Sequence, residues 1–154
     1  NDEMIDIISK IQVTYIVMHM KGTPNNMQLS PQYHNVLDEI IAFFSEKINI
    51  LKKKGVNDII IDPGFGFGKS LDHNYQLLAN IHDFQLFELP ILAGVSRKSM
   101  VSKLLNSSAK NSLNGTTALH MILLSKGVNI LRVHDVNEAR EAIKIFLETK
   151  KYQW

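Results

Sequence analysis

The sequence contains no cysteine, which excludes disulfide bonds, thiolate zinc sites and a cysteine nucleophile. This absence is typical of a reducing compartment, and we expect a cytoplasmic protein. Long apolar runs are also missing, because none approaches the ~18 residues that a membrane-spanning helix requires. The formal net charge is only +2, which is too mild to indicate nucleic-acid binding but suits a small anionic substrate. We therefore expect neither a membrane nor a nucleic acid as a partner.

The residues that are present are those of an ordinary globular domain. Hydrophobic residues make up 45% of the chain and charged residues 21%, as in proteins with a buried core. A length of 154 residues favours a single domain, residues 1–154. Position 1 is not methionine, and Met4, Ile5 and Ile8 already follow a helical spacing. We therefore expect a chain that starts in the middle of a larger protein.

Strand and helix signals alternate along the rest of the chain. Strands are predicted at residues 13–20, 58–62, 89–95 and 129–134, and helices at 32–54, from 72, at 100–106, at 116–126 and after Asp135, which would cap the last helix in a capping box. Loops are predicted at residues 25–28 and, with a polar composition, at 107–115. The helix at 32–54 has an apolar stripe at helical spacing: Val36, Ile40, Phe44, Ile48 and Leu51. This order requires parallel strands with right-handed crossovers. Four such units predict a half-barrel or a small open sheet, since a complete (β/α)₈ barrel needs about 250 residues.

The most informative stretch is residues 58–70, DIIIDPGFGFGKS. Its three isoleucines predict a buried strand that ends at Asp62, because the following proline cannot continue a central ladder. Glycines at alternate positions then allow a tight turn. The Walker A loop and the G-x-G-x-x-G dinucleotide fingerprint both fail here on spacing. The sequence therefore predicts a carboxylate at the C-terminal end of a buried strand, where α/β proteins bind ligands.

Polar side chains also follow two other predicted strands. Residues 96–98 (SRK) end one of them, and Arg132 and His134 lie two residues apart on the last, so they project to the same face. A lone buried arginine is costly unless it is paired, and an anion between Arg132 and His134 would explain both residues. An internal salt bridge, with Asp62 or Asp135, would explain either one alone. Because three strand ends carry such groups together, we favour a ligand site.

Four blocks of this sequence resemble dihydropteroate synthase. They are residues 18–24 (MHMKGTP) with Met27 and Gln28, residues 62–69 (DPGFGFGK), residues 94–99 (GVSRKS) and residues 132–136 (RVHDV). The blocks occur in that family's order and spacing, and the resemblance covers nearly the whole chain. It implies an α/β fold, the C-terminal half of a (β/α)₈ TIM barrel, in which a helix precedes about four parallel strand–helix units.

The resemblance also implies a transferase of folate biosynthesis, a sulfonamide target. That family condenses 6-hydroxymethyl-7,8-dihydropterin diphosphate with 4-aminobenzoate to give dihydropteroate and pyrophosphate. The implied catalytic residues are Asp62, Lys98, Arg132 and His134, and the implied substrate-binding residues are Met18, Phe67, Gly94 and Ser96.

Each implied role suits the residue type. Asp62 would accept hydrogen bonds from the pterin amino group and ring N–H, and Lys98 would bind the ring's oxygen and nitrogen edge. Arg132 would cover the pterin face and, with His134, hold the leaving diphosphate. Met18, Phe67 and Gly94 would line the pterin slot, and Ser96 would lie near the aminobenzoate.

Further expectations concern partners that the resemblance implies. Mg²⁺ would be the cofactor, with its protein ligand in the half of the barrel that this chain lacks, so no metal ligand is assigned here. The complete protein would be a homodimer through its last two helices. Without the first half of the barrel, we expect little or no turnover from this chain alone.

Two rival interpretations remain open. One is a non-catalytic pterin-binding or assembly fragment that retains the core motifs. The other is a pterin-dependent methyltransferase, which would share the pterin-binding aspartate. A methyltransferase needs no diphosphate clamp, so residues 96–99 together with Arg132 and His134 argue against it.

Overall fold

A computed structural model describes residues 2–23, 27 and 31–152 of the chain. The helices are α1 (Asp2–Ile11), α2 (Val36–Lys53), α3 (Leu71–Ala79), α4 (Ser99–Leu104), α5 (Leu113–Ser125) and α6 (Val136–Lys150), with 3-10 helices at Ile81–Phe87 and Ala109–Asn111. The strands are β1 (Tyr15–Met18), β2 (Ile59–Asp62), β3 (Leu92–Ala93) and β4 (Ile130–Leu131). Among these residues, no helix is both long and apolar enough to cross a membrane.

The four strands are paired in parallel, as the alternating pattern predicts. β1 pairs with β2, with Met18 opposite Asp62, and β3 pairs with β4. A parallel bridge between Ile61 and Ile91 joins the two pairs. The carboxyl ends of all four strands therefore lie on one side of the sheet, which is where a ligand site forms in such folds.

The long helix α2 forms much of the core. The five apolar positions of its predicted stripe are all buried: Val36, Ile40, Phe44, Ile48 and Leu51. The helix begins later than the predicted residue 32, because Asn35 is the N-cap and its side chain accepts hydrogen bonds from two backbone N–H groups of the first turn. Gly55, just after the helix, has φ +80°, as expected of a glycine that ends a helix.

Several predicted boundaries differ from the structure. All four strands are shorter than predicted, and β3 and β4 have two residues each. The predicted polar loop at 107–115 contains a 3-10 helix, and α5 already begins at Leu113. Gly115 therefore lies inside a helix, where a Cβ atom would come within 2.6 Å of Leu105. In α1, Ile5 and Ile8 are buried but Met4 is exposed. The loop predicted at residues 25–28 lies largely outside the described residues, as do Pro24 and Gln28.

Candidate active site

The loop that follows β2 is shaped by its glycines. Gly64, Gly66 and Gly68 all have positive φ, between +63° and +79°. A Cβ atom on Gly64 would lie 1.9 Å from the carbonyl oxygen of His19, at the end of β1. The backbone of the loop is thus packed directly against the neighbouring strand end, in a conformation that only glycine adopts without strain.

Asp62 ends β2 beneath this loop and is only 1% exposed. One of its carboxylate oxygens, Oδ1, accepts a hydrogen bond of 2.8 Å from the backbone N–H of Gly64. Burial raises the pKa of Asp62, while this hydrogen bond and the nearby charges of Arg132, Lys98 and Lys69 oppose that rise. The structure therefore holds a buried carboxylate that three cations surround.

Arg132 lies just beyond β4, and its Nη2 is 3.7 Å from Oδ2 of Asp62. A Cβ atom on Gly94 would be 3.0 Å from Nε of Arg132 and 3.1 Å from its Nη2, so the glycine leaves room for the guanidinium. The prediction that Arg132 is buried within a strand is wrong, since β4 ends at Leu131 and the Arg132 side chain is 54% exposed. The structure is consistent with both explanations of Arg132, the internal salt bridge and the anion site. Its guanidinium is close to Asp62, and the side chain is also accessible to a ligand from solvent.

Lys98 lies in the loop after β3 and reaches across to the glycine loop. Its Nζ donates a hydrogen bond to the carbonyl oxygen of Phe65 and lies 4.7 Å from the centroid of the Phe67 ring. Burial lowers the pKa of Lys98 to about 8. The negative charge of Asp62 opposes this decrease, and the positive charge of Arg132 adds to it. Lys98 is therefore a partly desolvated ammonium on the same side of the sheet as Asp62.

Ser96 and His134 form a direct pair. The buried Ser96 hydroxyl accepts a hydrogen bond of 3.2 Å from the backbone N–H of His134 and lies 3.0 Å from Nδ1 of its ring. His134 is exposed and, like Arg132, lies beyond β4 rather than within the predicted strand. Met18 is partly buried and faces Asp62 across the β1–β2 ladder. All eight predicted site residues thus lie at the carboxyl ends of the four strands.

Arg97 does not belong to this group, although it lies between Ser96 and Lys98. Its Nε and Nη2 contact the two carboxylate oxygens of Asp135 at 2.9 and 2.6 Å, and its Nη1 donates to the carbonyl oxygen of Lys110 at 3.0 Å. Asp135 precedes α6 as its N-cap residue, but the predicted capping box is wrong because its side chain makes no capping hydrogen bond. The ion pair instead ties the loop after β3 to the loop after β4.

Sequence reasoning missed the roles of two buried residues, Lys69 and His19, although both lie in the sequence blocks quoted above. Lys69 is 3% exposed and His19 is 6% exposed, and Nζ of Lys69 lies 3.0 Å from Nδ1 of His19. Burial lowers the pKa of Lys69 to about 7 and that of His19 to about 3. Strand alternation does place His19 on the face opposite Met18, but no periodic signal links residues 50 positions apart in the chain.

The arrangement suits a flat, polar and anionic ligand. A buried carboxylate accepts hydrogen bonds from neighbouring N–H groups of a heterocycle, while an arginine, a lysine and a histidine next to it suit an anion. Among the described residues, no group of three or more histidine, aspartate or glutamate side chains is placed to hold a metal ion. The site therefore offers ligand recognition by hydrogen bonds and charge.

Comparison with known proteins gives consistent results. The family model described as "Pterin binding enzyme" matches residues 1–134. The dihydropteroate synthase of Escherichia coli is 42% identical over 145 residues, which are 89% of this chain and 51% of that protein. The Yersinia pestis dihydropteroate synthase, solved in a sulfonamide drug complex, has a TM-score of 0.94 at 42% identity and matches 97% of this chain and 55% of its own.

Dihydropteroate synthase from Thermus thermophilus is also similar, at 33% identity. Its structures in complex with 4-aminobenzoate and with 6HMPPP have TM-scores of 0.91 and 0.92, each matching 96% of this chain and about 60% of its own.

These comparisons confirm the resemblance to dihydropteroate synthase and the α/β fold, half of a TIM barrel. The chain spans about half the length of most of the curated relatives that it matches. The family model matches 134 of the 154 residues, which establishes membership of that family. This chain belongs to the family of pterin-binding enzymes.

Proposed function

We propose that this chain carries the pterin and diphosphate half of the active site of a dihydropteroate synthase. The reaction would condense 6-hydroxymethyl-7,8-dihydropterin diphosphate with 4-aminobenzoate and release pyrophosphate. The observation that carries this proposal is the convergence of Lys98 and Arg132 on the buried carboxylate of Asp62. The names of the relatives and the two ligands of the Thermus thermophilus enzyme support the choice of substrates.

Pterin recognition would rest on Asp62, because an ionised carboxylate only accepts hydrogen bonds and can engage two N–H donors at once. Lys98, which also contacts the glycine loop, would donate to the ring's oxygen and nitrogen edge. Phe67 and Met18 would supply apolar walls, and Gly94 would leave the Arg132 guanidinium free to lie flat over the pterin ring.

Arg132 and His134 would hold the diphosphate, with the Ser96 hydroxyl fixing the imidazole. In the reaction, the bond between the pterin methylene carbon and the diphosphate oxygen breaks, and its electron pair leaves with the diphosphate. The amino nitrogen of 4-aminobenzoate then bonds to that carbon and loses a proton to solvent. The chain would contribute by stabilising the leaving anion and aligning the two substrates. Ser96 would lie close to the incoming aminobenzoate.

Mg²⁺ is part of the proposal only as far as the resemblance implies it. The described residues bring no three histidine, aspartate or glutamate side chains together. By the resemblance, the protein ligand for Mg²⁺ would lie in the half of the barrel that this chain lacks.

A homodimer through α5 and α6 is also proposed. A groove of about 570 Å³ lies between the two helices, with Leu113, Met121 and Ile145 among its lining residues. Ile145, which lines this groove, is 59% exposed, and a second copy of the chain would cover it together with Leu147, which is 53% exposed. We expect sedimentation analysis to show a dimer that Ile145→Glu weakens. The control Leu86→Glu changes an equally exposed side chain that does not line this groove, and equal behaviour of both variants would contradict the dimer.

A cytoplasmic location completes the proposal. It is supported by the absence of cysteine, which is typical of a reducing compartment. Fractionation of the source cells, followed by immunodetection of the chain, would test it, and recovery in a membrane or extracellular fraction would contradict it.

The central experiment is a calorimetric titration with the pterin diphosphate, followed by a turnover assay with both substrates. We expect binding by this chain, and we expect Asp62→Asn to reduce the affinity about 100-fold, because charge-assisted hydrogen bonds are lost and an amide N–H would face the ligand's donors. The control Asp72→Asn removes an exposed carboxylate and leaves the site intact.

The turnover assay separates the rival interpretations. Little turnover by this chain alone, with full turnover by a complete barrel that contains it, would support the synthase. Binding without turnover in any complete form would favour a non-catalytic fragment, and transfer of a methyl group would favour the methyltransferase. Unchanged affinity in Asp62→Asn would contradict the assignment of the site.

A further inference from the structure

Lys69 is held in a closed set of hydrogen bonds behind the glycine loop. Its buried ammonium donates to the carbonyl oxygens of Gly64 at 2.9 Å and Phe67 at 3.2 Å, and lies 3.0 Å from Nδ1 of His19. An ammonium group has three protons, and the three acceptors match them in number. The geometry is therefore that of a charged lysine with every donor in use.

His19 is suited to be the third acceptor. Burial lowers its pKa to about 3, and the positive charges of Lys69 and Lys21 contribute to that decrease, while Glu39 opposes them. The imidazole is therefore neutral at physiological pH, with its proton on Nε2 and a lone pair on Nδ1 for Lys69. Its ring packs edge-on against Phe43, with 5.1 Å between centroids. Below the pKa of Lys69, which burial lowers to about 7, the positive charge of this buried pair thus lies on Lys69.

Lys69 acts on Asp62 by two routes. The carbonyl of Gly64 accepts from Lys69, and the N–H of the same residue donates to Asp62 at 2.8 Å, so the lysine fixes the residue that orients the carboxylate. Its charge also favours the ionised form of Asp62. The other two cations near Asp62, Arg132 and Lys98, have a different proposed role, because they would bind the ligand.

We propose that Lys69 is a positioning residue, which fixes the glycine loop and gives Asp62 an internal counter-charge that remains when Lys98 and Arg132 engage a ligand. The proposal takes only the identity of that ligand from the proposed function. Lys69 does not touch the ligand, and it acts through Gly64 and Asp62.

A dependence on pH follows from this arrangement. The charged and titratable groups that face Lys69 are His19, Asp62 and Lys98, and those that face Asp62 are Lys69, Lys98 and Arg132. Burial lowers the pKa of Lys69 to about 7, despite the attraction of Asp62. As the pH rises through this value, Asp62 loses its internal counter-charge and the loop loses one donor.

The direct test is the pKa of Asp62 in the free protein, measured by carbon-13 NMR of its carboxylate. In Lys69→Met the pKa of Asp62 should rise by about 1 unit, the size expected when a nearby opposite charge is removed. The control Lys103→Met removes an exposed lysine from α4 and should leave that pKa unchanged. An Asp62 pKa that is the same in all three proteins would overturn the proposal.

Lys69→Gln keeps the test valid if Lys69→Met does not fold, because the glutamine amide is neutral and has two N–H donors for the two carbonyls. A carbon-13 titration of Lys69 in the unaltered chain adds a test without any substitution. It should show the charged form at pH ~5.5, below the lowered pKa of this lysine, and a neutral Lys69 at that pH would also overturn the proposal.

Calorimetry with the pterin diphosphate then tests the effect on the ligand. Both Lys69 variants should bind about tenfold more weakly, because each removes the charge that favours the ionised form of Asp62 and a change of one pKa unit corresponds to a factor of about ten, whereas Lys103→Met should bind as before. Unchanged affinity in both variants would refute the positioning role. If the unaltered chain did not bind the pterin at all, the proposed function would fail, while the NMR titration would still decide the role of Lys69.

Discussion

Replacing Gly64 by alanine would test the close contact between the glycine loop and β1. Gly64 has φ +72°, and a Cβ atom there would lie 1.9 Å from the carbonyl oxygen of His19. An alanine in the left-handed region costs about 1–2 kcal/mol, and the overlap adds about 1–3 kcal/mol, as overpacking does elsewhere. The His19 oxygen cannot move away freely, because the backbone N–H of His19 donates a hydrogen bond to the backbone carbonyl oxygen of Asp62. The expected total of about 2–5 kcal/mol is a large part of a typical domain's stability.

Gly55→Ala provides the matched control. Gly55 has φ +80°, nearly the same as Gly64, but no atom of the described residues lies within 4 Å of its added Cβ. Gly55→Ala should therefore lose only the stability that the left-handed backbone conformation costs an alanine, about 1–2 kcal/mol. In urea unfolding, with a slope of about 2 kcal/mol/M, the two variants should differ in midpoint by about 0.5–1.5 M. Equal midpoints would refute the argument that contact with His19, rather than glycine's backbone freedom alone, selects Gly64.

Three further predictions concern charge. Arg97→Lys should lower both the melting temperature and the pterin affinity, because lysine cannot bridge both oxygens of Asp135. The control Lys110→Ala keeps the backbone carbonyl that accepts from Arg97 and should change neither quantity. A larger effect of Lys110→Ala than of Arg97→Lys would contradict the role of the ion pair. The affinity of the unaltered chain for the pterin diphosphate should fall as the pH rises from about 7 to about 8, where Lys69 and then Lys98 lose their protons, and calorimetry on Lys98→Met should show a smaller decrease. His120→Leu should stabilise the chain by about 1–3 kcal/mol, because both ring nitrogens of His120 are buried without a hydrogen-bond partner among the described residues. Burial lowers the pKa of His120, so the unaltered chain loses stability as the pH falls below about 6.5, and urea unfolding at pH ~7.5 and ~5.5 should show a smaller loss in His120→Leu than in the exposed control His82→Gln.

The parts of the fold that could be predicted from the sequence are those with a strong local pattern. The stripe of α2 repeats every three to four residues, and every predicted member is buried. The strand at Ile59–Asp62 combines β-branched residues with a proline stop, and both signals hold. Strand lengths could not be predicted, because pairing depends on how far the neighbouring strand extends. Gly115 belongs to a predicted loop but lies inside α5, because its missing side chain allows the close packing of Leu105 against this helix.

In the site, the sequence predicts which residues gather but not how they are paired. Asp62, Lys98 and Arg132 follow strand ends, so a parallel sheet brings them together. The partner of Asp135 could not be predicted, because local capping and a distant arginine compete for the same carboxylate, and the charged fork of Arg97 binds both oxygens. The buried contact between Lys69 and His19 depends on the packing of β1 against the glycine loop, which no local pattern reports.

The three left-handed glycines of residues 64–68 have a consequence for inhibitor design. A side chain at Gly64 or Gly68 would collide with a carbonyl oxygen, at 1.9 and 2.1 Å respectively. A compound packed against the backbone of this loop would therefore contact atoms that every variant retains. Escape by mutation at Gly64 or Gly68 would damage the fold before it weakened the drug.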